Sequence, residues 1–153
     1  MFDYIKGILQ NVSEENRTPS DGNKRIQVAT CALFIEIARA DDEFTNKERD
    51  IILSVMKDSF DLDTEEVNEL IINAEESVNK SVSVYEFTRL LDEYLEKEGK
   101  FELLKNLWRL IYSDNTLNKY EDNLIKRIGD MLKMEHKEVI DAKLQIKQEK
   151  NIT

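Results

Sequence analysis

Apolar residues fall three and four positions apart along most of this chain. Ile26, Ala29, Leu33, Ile37 and Ala40 step by 3, 4, 4 and 3, and Val28 and Phe34 widen the stripe. That spacing is one face of a helix, and its width predicts a helix near the centre of the fold. Ile51, Ile52, Val55 and Met56 predict a second helix. Val67, Leu70, Ile71, Ala74 and Val78 predict a third, opened by the capping box Asp63-Thr64-Glu65-Glu66. A second capping box, Ser83-Val84-Tyr85-Glu86, precedes Phe87, Leu90, Leu91, Tyr94 and Leu95. Gly99 is expected to divide that helix from the next, which carries Phe101, Leu104, Leu107, Trp108 and Ile111. Leu124, Ile125, Ile128, Met131 and Leu132 mark a further helix. Val139, Ala142 and Ile146 mark the last.

No segment alternates with period two over a useful length. With one Pro and four Gly, the chain also lacks the breakers of a turn-rich β fold. The fold class predicted is all-α, a compact bundle of about eight helices. Residues 1–12, with Phe2, Ile5, Ile8, Leu9 and Val12 on one stripe, read as an amphipathic first helix. The polar run 13–24 holds the only Pro and an Asp-Gly pair, and reads as a linker. Residues 25–146 form the helical domain and 147–153 a polar tail.

Two short stretches resemble each other. ARADDEFTNKE runs from residue 38 to 48 and IYSDNTLNKYE from 111 to 121. Asp41 and Asp114, Phe44 and Leu117, and Glu48 and Glu121 each stand 73 residues apart. The register continues outward through Ile37 and Leu110, Ile51 and Leu124, and Val55 and Ile128. A helix, an acidic turn, a helix, a short loop and a helix are thus written twice. Two copies are too few for a solenoid, so a closed bundle with a pseudo-two-fold repeat is expected.

Glu48 and Glu121 each stand three residues after a capping residue, Thr45 or Asn118, so helix capping accounts for both. Asp41 and Asp114 are different. Each lies at the C-terminal end of a helix, where the macrodipole disfavours an acid. A local rule broken twice at equivalent places marks a candidate site; the bland alternative is an Asx turn that ends the helix. The first turn is not an EF-hand loop: counted from Asp41, position six is Asn46 rather than Gly, and position twelve is Ile52 rather than Glu. Any site for a hard cation would draw on both turns, with Asp41 and Glu43 from one and Asp114 from the other.

Charge narrows the classes further. The net charge is −10 and the pI about 4.7, which argues against nucleic acid and anionic membrane surfaces as partners. Cys31 is alone, so no internal disulfide forms, and it sits in an apolar helical stretch as a small core residue. No apolar run approaches the roughly 20 residues of a membrane span, so direct membrane insertion is not expected. The N-terminus does not read as a signal peptide, and the cytoplasm is the expected location. The single histidine, His136, lies in a polar stretch. There is no Gly-rich phosphate loop, no Cys/His metal spacing and no nucleophile motif. An enzyme is therefore not expected; the class held in reserve is carboxylate-based catalysis.

ADDEFTNKE resembles the A-D-G-x-hydrophobic-x-x-x-E signature of the TerB-like tellurite-resistance family, and SDNTLNKYE resembles its degenerate second copy. The likeness spans about residues 24–145. It implies a helical bundle with internal pseudo-symmetry, no catalytic activity, and a cluster of acidic residues proposed to hold a metal. It also implies a bacterial setting tied to tellurite resistance, stress response and phage defence. Partners would include membrane-associated and calcium-binding proteins. Asp41, Glu43 and Glu48 of the first motif and Asp114 and Glu121 of the second carry over as metal residues. Two departures weaken the pattern: Asp42 replaces Gly, and Thr116 removes an acid. The expected function is a non-enzymatic module that binds a divalent cation, Ca²⁺ or Mg²⁺. The alternative is a metal-free acidic protein-interaction domain, with a homodimer through the first helix as one form.

Overall fold

The structure is a computed structural model that describes residues 19–40, 45–79, 84–114 and 119–151. Within them the chain is helical, with no strand. The elements are α1 (Pro19–Ala38), α2 (Asn46–Phe60), α3 (Thr64–Asn79), α4 (Val84–Tyr94), α5 (Lys97–Ile111), a 3₁₀ turn (Tyr112–Asp114), α6 (Lys119–Met131) and α7 (His136–Glu149). Seven α helices are therefore described. The expected first helix over residues 1–12 lies outside the described residues, as do Asp41, Glu43, Phe44, Ser83, Leu117 and Asn118.

Helix α1 is the axis of the bundle. From Val28 to Ala38 every side chain except Glu36 is buried. A helix apolar on all sides belongs inside, and α1 packs against α3, α4 and α5 and touches α2 and α6. On the far side, α5 packs on α7. Trp108 is fully buried; its indole N–H donates to the Val139 carbonyl at 3.1 Å, and its ring stacks on Tyr112 at 5.9 Å.

Three boundaries differ from the sequence reading. Helix α1 starts at Pro19, so residues 19–24 are helical rather than linker. Proline suits the first turn, where its missing N–H has no helical partner to lose. The break between α4 and α5 falls at Leu95–Glu96, and Gly99 lies inside the first turn of α5. Helix α7 extends to Glu149, into the expected tail, where Arg109 grips the Glu149 carboxylate through two nitrogens at 2.8 and 2.9 Å.

The charged run around Asp92 ties three elements together. Asp92 takes Lys100 at 2.6 Å and Lys133 at 3.2 Å, joining the end of α4 to α5 and to the α6–α7 turn. Lys133 adopts a left-handed backbone (φ 61°) that closes α6, with the Met134 N–H returning to the Gly129 carbonyl at 2.9 Å.

Candidate functional site

The two acidic turns each lead into a helix whose third residue is a buried glutamate. At α2 the cap is complete. Thr45 has an extended backbone (φ −81°, ψ 162°), and its hydroxyl accepts from the Glu48 N–H at 3.1 Å. Glu48 Oε1 in return accepts from the Thr45 N–H at 3.0 Å and from its hydroxyl at 3.1 Å. The capping box expected from the sequence is formed, and it holds the Glu48 carboxylate at 7% exposure. At α6, Glu121 is buried to a similar 6%. A carboxylate is rarely this buried without a partner, and both glutamates have one.

Of the other predicted residues, Asp41 and Glu43 lie outside the described residues. Asp114 closes the 3₁₀ turn that follows α5. That turn packs against α2, the helix that carries Glu48. The fold thus brings the backbone of the second acidic turn beside the helix that begins after the first. Among the described residues no group of three or more His, Cys, Asp or Glu side chains is gathered as a metal-ligand set.

Sequence reasoning missed the charges around each turn. Arg39 follows α1 and Arg49 lies in the first turn of α2. With Thr45, Asn46 and Glu75 they line a recess of about 200 Å³. Arg49 Nη1 meets Glu75 Oε1 at 3.2 Å, tying α2 to α3. Arg39 Nη1 donates to Asn79 Oδ1 at 2.5 Å. Beside the second turn, 73 residues on, Tyr112 and Asp122 stand at these two positions. Asp122 Oδ2 accepts from Lys126 at 2.8 Å, while Oδ1 is buried without a hydrogen-bond partner. Burial pushes the Tyr112 phenol above its ordinary range, and the Asp122 charge adds to the shift. Arg49 and Glu75 lie 26 residues apart and Arg39 and Asn79 40 apart, so no local spacing rule points to them, whereas Asp122 and Lys126 have the i,i+4 spacing of an ordinary helix pair.

Cys31 is fully buried in α1. Desolvation pushes its thiol up to about 12, with the Glu75 charge adding to the effect and Arg49 opposing it. It is a packed core residue, and a thiol held protonated is not a nucleophile.

Residues 27–144 match the family model described as Tellurite resistance protein TerB. The chain belongs to the TerB family. No curated protein and no solved structure matches it. The TerB match runs from α1 into α7 and includes both acidic turns and both buried glutamates. It lies within the span over which the sequence resembles the family. Helical architecture is thus common to the TerB assignment and to the structure.

Proposed function

We propose that this TerB-family chain is a non-enzymatic module of tellurite resistance or stress response that holds one hard divalent cation, Ca²⁺ or Mg²⁺, between its two acidic turns. Asp41, Glu43 and Asp114 would supply carboxylate oxygens, which such cations prefer. Glu48 and Glu121 belong to the same set and anchor the helix that leaves each turn. The observation that carries this reading is the pair of buried glutamates, at 7% and 6% exposure, in matching first turns 73 residues apart. The packing supports a two-fold repeat behind them: α1 packs on α3 and α5 on α7, while α2 meets α3 and α6 meets α7.

The test is thermal unfolding of chelator-stripped protein against Ca²⁺, Mg²⁺, Mn²⁺ and Zn²⁺, with an Asp41→Asn/Asp114→Asn double variant alongside. A ligand at about 100 times its Kd stabilises by about 2.7 kcal/mol, which raises Tm by roughly 5–10 °C in a domain of this size. A selective rise in the parent that the double variant lacks is the expected result. A flat response to every metal would sink the cation reading.

A second reading, a metal-free acidic interaction domain, is favoured by α3. That helix carries five glutamates and no Lys or Arg, and Ile72 on its surface is 53% exposed. A basic protein partner, membrane-associated or soluble, fits that face, and its binding should weaken with salt. In either reading the chain works in the cytoplasm.

A further inference from the structure

We propose that the recess between the end of α1, the start of α2 and the C-terminal half of α3 binds a small inorganic oxyanion. Its lining is Arg39, Thr45, Asn46, Arg49 and Glu75. Two guanidiniums against one carboxylate leave the recess with one positive charge, in a chain whose net charge is −10. Each arginine uses a single nitrogen, Nη1, on Asn79 or Glu75. Their remaining donors have no hydrogen bond among the described residues. Planar guanidinium forks match the oxygens of a tetrahedral or pyramidal anion. The recess, at about 200 Å³, is large enough for such an ion.

The repeat supplies an internal control. At the two positions 73 residues on, the chain has buried Tyr112 and half-buried Asp122 instead of arginines. The bundle closes there without a guanidinium at either position. A helix–turn–helix of this kind therefore does not require the cations that the first copy carries. Opposing fields limit the affinity. Glu48 already caps α2, and Asp41, Asp42 and Glu43 are next to Arg39 in sequence. A millimolar Kd is therefore expected rather than a micromolar one.

The test is a ¹H–¹⁵N NMR titration of the full chain with sodium phosphate, sodium sulfate and sodium tellurite, against sodium chloride at matched ionic strength. Saturable shifts are expected at the Arg39 and Arg49 side-chain Nε–H groups and at the Asn46–Arg49 amides, with none from chloride. Arg39 is exposed, so Arg39→Gln leaves folding intact. Losing one charged donor weakens binding about tenfold. The Asp41→Asn/Asp114→Asn variant abolishes any cation response and leaves the anion titration no weaker, so the two ideas fail separately. Shifts that follow ionic strength alone, or that survive Arg39→Gln unchanged, overturn the proposal.

Discussion

Gly129→Ala tests how closely α6 and α7 approach. A methyl built at Gly129 would lie 2.5 Å from Val139 Cγ2 and 3.8 Å from its Cβ. Non-bonded carbons do not approach to 2.5 Å, so the substitution must push α7 away or force Val139 off its rotamer. Two terms oppose each other. Alanine is favoured over glycine inside a helix by about 1 kcal/mol. Overpacking a closed contact costs about 1–3 kcal/mol. Because Gly129 and Val139 are both buried, the second term outweighs the first, and the net loss is up to about 2 kcal/mol. That corresponds to a Tm lower by up to about 4–8 °C. The displacement has a spectroscopic reporter as well. The Val139 carbonyl accepts the indole N–H of Trp108, the only tryptophan in the chain, so its emission should shift to the red. The double variant Gly129→Ala/Val139→Ala removes the offending methyl. It should cost less than the two single changes added together, by about 1 kcal/mol or more. A Gly129→Ala protein as stable as the parent, with unchanged emission, would refute the close approach.

Three further outcomes follow from the same geometry. Lys100 and Lys133 hold the Asp92 carboxyl below its usual range. A depressed folded pKa gives stability that is present above the ordinary carboxylate value, near 4, and is lost as pH falls through the lower folded value. Tm of the parent should therefore fall more steeply below about pH 5 than Tm of Asp92→Asn, as measured by calorimetry across an acid series. Cys31, with its thiol pushed up to about 12, should resist thiol reagents at neutral pH until the chain unfolds; rapid labelling of folded protein would contradict its burial. Glu48→Gln keeps an oxygen to accept from Thr45 but removes the charge. It should change stability by less than about 1 kcal/mol while shrinking any cation-dependent rise in Tm.

Much of the fold was legible because helix-forming information is local. The period of the apolar positions located α2, α3, α5, α6 and α7, and the capping signals at Thr45 and Asp63 are met by real hydrogen bonds. The misplaced boundaries share one cause. Pro19, Gly22 and Gly99 were weighed as breakers, whereas each lies in the first turn or so of a helix, where the cost of Pro or Gly is smallest. The ion pairs at Asp92 were not legible in the sequence because their partners lie 8 and 41 residues away, beyond any helical spacing.

The candidate site divides along the same line. Glu48 and Glu121 could be placed from sequence because capping is a rule of three residues. Their burial could not, because it depends on what the bundle lays over them. The repeat register marked Asp41 and Asp114 as equivalent, and the same register carries a contrast. Where the first copy sets Arg49 against Glu75, the second sets Asp122 beside Tyr112. The two turns, already unequal in their acids, are therefore unequal in their surroundings as well. The Arg39 and Arg49 guanidiniums flanking the first turn would oppose a cation there. At the second, the buried Asp122 Oδ1 has no hydrogen-bond partner. If a cation binds across both turns, Arg49→Gln should strengthen it by removing a competing charge. The same change should weaken an oxyanion in the adjoining recess. Opposite signs from one substitution separate the two ligands more cleanly than any loss of binding would.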